Sequence, residues 1–76
     1  MSYLKELSSY QKEDNELFNQ CLNDFYGEDR FNLNKKVDIK KLNLDKEAGL
    51  YYLLKTEFKI KEYNLKKFAR SIQNSR

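Results

Sequence analysis

Seventy-six residues with no proline, two glycines, and 39% hydrophobic beside 36% charged side chains are enough for one small domain, residues 1–76, with a single core. Histidine is absent and Cys21 stands alone, so the chain has no internal disulfide, no set of zinc ligands, and none of the imidazoles that usually serve acid–base or nucleophilic catalysis. The net charge of +3 is unevenly spread: residues 1–30 hold three basic and seven acidic side chains, net −4, and residues 31–76 hold twelve basic and five acidic, net +7.

The first residues lack the basic start and long apolar run of a signal peptide, and no window approaches the roughly 18 apolar residues of a membrane span. With its one unpaired thiol, the chain reads as cytoplasmic. Tyr3, Leu4, Leu7 and Tyr10 recur at helical spacing, and Leu17, Phe18, Cys21, Leu22 and Phe25 do so again. On one continuous helix Asp14 would fall inside the apolar stripe. It is therefore expected to cap a second helix over residues 14–26 that Gly27 closes, the alternative being a single helix kinked near Asp14.

From Glu28 to Asn43 the apolar residues Phe31, Leu33, Val37 and Ile39 alternate with polar ones, the period of a half-buried strand. Phe58 and Ile60 alternate too, so the pattern admits either a short two-stranded ribbon between residues 36–40 and 57–61 or an extended loop. Asp45 then caps the helix "DKEAGLYYLLKTEF", apolar around most of its circumference and so expected at the centre of a bundle or against a second copy. Gly49 weakens that helix by roughly 1 kcal/mol relative to alanine, and its small size admits a closely approaching neighbour. Asn32, Asn43 and Asn64 each suit the opening of a turn or helix.

At Asn64 a last helix is expected, with Tyr63 and Phe68 at the spacing of a hydrophobic staple. Leu65, Phe68, Ala69 and Ile72 form its apolar stripe, and Lys66, Lys67, Arg70, Gln73 and Asn74 its polar face. The fold class is therefore mainly α, a small bundle of three or four helices, with Leu17, Cys21, Leu22, Leu50, Leu54, Phe68 and Ile72 in one core. Residues 41–76, "KLNLDKEAGLYYLLKTEFKIKEYNLKKFARSIQNSR", resemble the opening of a winged helix-turn-helix regulator, in which an "L-x-x-E-A-x-x-Y-x-x-L-L" helix precedes a positioning helix. The resemblance implies that the positioning helix is followed by a turn and a recognition helix, which would come after Arg76, and then by a wing.

No catalytic residue, metal ligand or cofactor site is expected. Cys21 lies on an apolar stripe, where cysteine serves as a small core residue, and the acids around Gly27 lack calcium-loop spacing. The chain is expected to be a non-catalytic interaction module that binds a protein partner, an accessory or inhibitory factor of the kind phages and mobile elements encode. The richness in Lys, Asn, Tyr and Phe is what AT-rich genomes favour. Six tyrosines and five phenylalanines are generous for this length. Phe18, Phe25, Tyr51, Phe58 and Phe68 are assigned to the core, and Tyr26, Tyr52 and Tyr63 to the partner-binding surface. The competing expectation is a nucleic-acid-binding protein using Lys35, Lys36, Lys40 and Lys41 with Lys66, Lys67, Arg70, Gln73 and Asn74. A homodimer is expected, because the "LYYLL" helix carries more apolar surface than one side of a small bundle hides.

Overall fold

The computed structural model describes the backbone of residues 2–74 and the side chains of residues 2–68. Within them the fold is mainly helical: α1 (Leu4–Glu13), α2 (Asn15–Tyr26), a 3-10 turn at Leu44–Lys46 and α3 (Ala48–Asn74). No helix among the described residues is long and apolar enough to cross a membrane.

Asp14 alone joins α1 to α2. Its backbone is extended, at φ −155° and ψ 94°, and its carboxylate accepts from the Leu17 N–H at 3.1 Å, so one residue both breaks α1 and caps α2. Gly27 ends α2 in the left-handed region at φ 74°, where its N–H donates to the Asn23 carbonyl at 2.8 Å. Only glycine adopts that conformation freely. Both helix boundaries follow the sequence expectation.

The core gathers Leu7 of α1, Phe18, Cys21 and Leu22 of α2, Ile39 and Leu44 of the long connection, and Leu50, Leu54 and Phe58 of α3. Burying a side chain of the Leu or Phe class is worth about 1.5–3 kcal/mol, so these nine residues are the main source of stability. Leu17, Phe25, Tyr51 and Leu53 pack partly buried around them. Gly49 faces Phe25: a Cβ at Gly49 would lie 3.0 Å from the Phe25 ring, so the small residue permits the close passage of α2 and α3.

Residues 28–43 are not a strand, and no strand occurs among the described residues. Of the two alternatives the pattern admitted, the ribbon is ruled out because residues 57–61 belong to α3, and the segment is an extended loop with turns. The alternation is nonetheless real as burial: Ile39 is buried, Phe31, Leu33 and Val37 are half-buried, and their even-numbered neighbours are exposed. Side-chain amides, in place of strand partners, meet this segment's backbone. Asn23 accepts from the Phe31 N–H at 2.8 Å and donates to the Phe31 carbonyl at 3.0 Å. Asn19 donates to the carbonyls of Asn32 and Lys35, Asn15 to those of Leu33 and Lys35, and Gln11 of α1 to that of Val37 at 2.9 Å. These four amides stand four residues apart, one turn each, and stitch the connection onto the two helices.

The connection ends in local turns. Asn32 Oδ1 accepts from the Asn34 N–H, and Asn43 takes a left-handed conformation at φ 56°, which asparagine tolerates. Asp45 lies inside the 3-10 turn and does not cap α3; the Glu47 carbonyl receives its first hydrogen bond, from the Tyr51 N–H at 3.1 Å.

The largest difference from expectation lies in α3, one helix of 27 residues that passes through Tyr63 and Asn64 without a break. Asn64 is a helix-interior residue, so there is neither a staple nor a turn between two helices. The winged helix-turn-helix likeness ends there. Nor is the "LYYLL" segment central: Leu50 and Leu54 are buried while Tyr52 is exposed. At 1.5 Å per residue α3 is about 40 Å long, and α1 and α2 cover only its first half. The radius of gyration, 14.3 Å, accordingly exceeds the roughly 11 Å of a globule of this length.

Candidate interaction surface

Where α3 leaves the body, Lys61 meets Asp14. The two form an ion pair at the corner between α1 and α2, and the Lys61 ammonium also lies 5.9 Å from the centre of the Phe58 ring. The Lys61 hydrogen bond and the Leu17 N–H hold the Asp14 carboxyl below its ordinary value. Two clefts open beside this corner. One lies between α1 and α3, lined by Tyr10, Phe58 and Leu65 with the acids Glu13 and Glu62 and with Lys55, Lys59 and Lys61, and the other between α2 and α3, lined by Leu17, Ile60, Asn64 and Leu65 with Asp14, Glu57 and Lys61. Tyr10 forms the wall of the first, its ring 4.7 Å from that of Phe58. Burial, then the nearby Tyr51, Glu13 and Glu6, push its phenol up.

Past this corner every described side chain, from Glu62 to Phe68, is exposed. The core residues Leu54 and Phe58 continue along α3 as Lys61, Leu65 and Phe68, at alternating spacings of three and four, the seam of a heptad repeat. In the first half that seam is buried. In the second, Leu65 is 59% and Phe68 66% exposed. Phe68 is therefore not a core residue: its turn of the helix lies beyond the reach of α1 and α2. Ile72, the next member of the repeat in sequence, lies outside the described side chains.

All three tyrosines assigned to the surface are exposed, but they do not form one patch. Tyr52 and Tyr63, eleven residues apart, share the side of α3 opposite the seam, about 16 Å from each other along the axis. Tyr26 stands at the end of α2, edge-on to Phe25 at 5.0 Å, with the Arg30 guanidinium 5.9 Å from its ring centre.

The basic candidates divide as well. Lys35, Lys36, Lys40 and Lys41 are exposed on the connection. The amide ladder holds Lys35 on the face of α2 carrying Asn15 and Asn19. Leu17, two residues and hence about 200° around the helix from either, faces α3. Lys66 and Lys67 are exposed on α3, Lys66 in an ion pair with Glu62 at 3.2 Å. Lys35 and the lysines of α3 therefore face different ways. The side chains of Arg70, Gln73 and Asn74 lie outside the described residues.

Cys21 is fully buried, and burial, with Glu57 and Asp24 nearby, pushes its thiol up to about 12. It is a neutral, enclosed core residue at neutral pH.

Two features escaped the sequence reading: the amide ladder, whose signal was four amides spaced by four, and the unbroken α3, whose signal was the heptad seam running through Asn64. Comparison of the chain with protein families, with curated proteins and with solved structures gives no match.

Proposed function

We propose that this protein is a non-catalytic interaction module, a small helical bundle that works in the cytoplasm by binding a protein partner, as an accessory or inhibitory factor of the phage or mobile-element kind. One observation carries the reading: Ile60, Tyr63, Leu65 and Phe68 are all exposed on a helix that projects from its own core. A chain this small has little apolar surface to spare, and exposed aromatic and aliphatic side chains on both sides of a projecting helix, Leu65 and Phe68 on the seam and Tyr63 opposite it, are typical of a binding element. Tyr52 and Tyr63 belong to the partner surface, and Tyr26 with Arg30 offers a second, separate contact.

The test is affinity capture from the native host lysate, with and without nuclease, comparing the wild type with Tyr63→Ser. A protein retained after nuclease by the wild type and lost by the variant is expected. Capture that vanishes with nuclease would overturn the reading.

The nucleic-acid reading has its own supporting observation, the exposed Lys59, Lys66 and Lys67 on the side of α3 away from the seam. Phosphate contact needs such a basic face, and among the described side chains it consists of three lysines, one of them engaged by Glu62.

A further inference from the structure

We propose that residues 29–37, the first part of the long connection, form a strap that lifts off α1 and α2 as one unit while the helical body stays folded. The strap is separate from the projecting half of α3, and its failure to lift would leave the protein-binding reading untouched.

Both ends of the strap are built as hinges. Gly27 and Glu28 donate their N–H groups to the Asn23 carbonyl, at 2.8 and 3.1 Å. Gly27 is exposed at φ 74°, with nothing within 4 Å of where a Cβ would lie, so the backbone turns there with little steric hindrance. At the other end the chain closes on itself. Asp38 accepts from the Lys41 N–H through its carboxylate and from the Leu42 N–H through its carbonyl, both at 3.1 Å, and the Ile39 carbonyl accepts from the Leu44 N–H at 3.0 Å. That turn carries Ile39 and Leu44, so the core keeps both of its residues from the connection when the strap lifts.

What holds the strap down is mostly polar. Phe31, Leu33 and Val37 are half-buried and its other side chains are exposed. The Phe31 ring meets that of Tyr26 at 5.9 Å. Among the described residues no ion pair ties strap to body, since Arg30 pairs with the hinge residue Glu28. The ties are the amides of Gln11, Asn15, Asn19 and Asn23. Gln11, Asn19 and Asn23 are themselves the buried polar side chains of the described residues, so lifting wets a polar layer and leaves the apolar core covered.

Two of these amides are incompletely satisfied. Asn15 and Asn19 donate through Nδ2, but the Oδ1 of each is enclosed and accepts no hydrogen bond from the protein. A buried acceptor without a donor is unfavourable, and lifting returns both oxygens to water. Opening the strap therefore costs far less than unfolding the nine-residue core, the condition for a unit that opens by itself. Lifting gives solvent access to four amides that, in the closed state, pair with the backbone of an extended segment.

Native-state hydrogen exchange followed by NMR tests the strap. The Phe31 N–H, bonded to Asn23 Oδ1, and the side-chain amides of Asn19 and Gln11 report its beginning, middle and end. The N–H groups of the core residues Leu22 and Leu54 report the body. After correction for intrinsic rates, the three strap reporters should share one protection factor, at least about 100-fold below that of Leu22 and Leu54. It should vary little in low urea, because little apolar surface is exposed. Gln11→Ala, at the far end of the strap, should speed Phe31 exchange about fivefold, the worth of one hydrogen bond. Strap protection equal to that of Leu54 would show that the connection opens only with the whole fold. Phe31 exchange at the unprotected rate would show that nothing holds the strap, and exchange unmoved by Gln11→Ala that it frays piecemeal. Each of these three results overturns the proposal.

Discussion

Asp14 and Asn19 show how one polar side chain fixes the path of the backbone. Asn19 is fully buried and holds the carbonyls of Asn32 and Lys35. Replacing it with alanine leaves the Asn32 carbonyl without its donor and the Lys35 carbonyl with Asn15 alone, which should cost about 1–3 kcal/mol. Urea denaturation measures that loss, and faster amide exchange confined to the connection would identify its source. Asp14 carries two functions that substitution separates, because asparagine caps a helix about as well as aspartate but forms no ion pair. Its folded-state carboxyl is depressed below the ordinary 3.8. The stabilisation is therefore fully present above about 3.8 and is lost as the pH falls through the lower folded value. Since Lys61 is 39% exposed, solvent screening limits the pair to about 1 kcal/mol at most. Asp14→Asn should lower stability by up to that amount at pH 7 and flatten the decline of stability below pH 4. Urea midpoints at pH 7 and about pH 2.5 provide the check. An acid decline identical in wild type and variant would show that the pair contributes nothing.

For whole elements, legibility in the sequence depended on whether the deciding interaction was local. The start and end of α2 were readable because an Asp cap and a left-handed glycine act within one turn of the chain. The alternation of Phe31, Leu33, Val37 and Ile39 correctly gave their burial. It could not give their hydrogen-bond partners, since a buried row of backbone groups looks alike in sequence whether a strand or a ladder of amides satisfies it. Asn64 was misread for the opposite reason: asparagine is an acceptable cap and a tolerable interior residue, and the choice rests on the seam that runs from Leu54 through Leu65. The candidate surface was only partly legible. Exposure of Tyr26, Tyr52 and Tyr63 was foreseen, but Phe68 was placed in the core because spacing reveals a stripe and not how far the rest of the body extends along it. Asn64→Ala distinguishes the two readings by sign. At a cap the change costs about 1 kcal/mol; inside a continuous helix alanine is the better former, by about half a kcal/mol. We expect helicity at 222 nm to rise slightly with no loss of stability. A fall in thermal stability would restore the break at Asn64.

For the molecule as a whole, the separation of Lys35 from the lysines of α3 bears on the choice between protein and nucleic acid as partner. The amide ladder holds Lys35 on the side of α2 away from α3, so among the described side chains a duplex lying along the outer face of α3 meets Lys59, Lys66 and Lys67. Each phosphate neutralised lowers the logarithm of affinity by about 0.9 per unit of log salt, so three contacts would lose roughly 40-fold between 50 and 200 mM salt. Weak, non-specific association of that kind has nothing left at physiological ionic strength. We therefore expect fluorescence anisotropy to show negligible binding to random duplex or single strand at about 0.15 M salt. Any low-salt association should fall with that slope and disappear in the variant carrying Lys66→Glu and Lys67→Glu. That variant should keep its fold, since both side chains are exposed beyond the core. Submicromolar binding at 0.15 M salt that the variant loses would make nucleic acid the partner and the lysine face of α3 the functional surface.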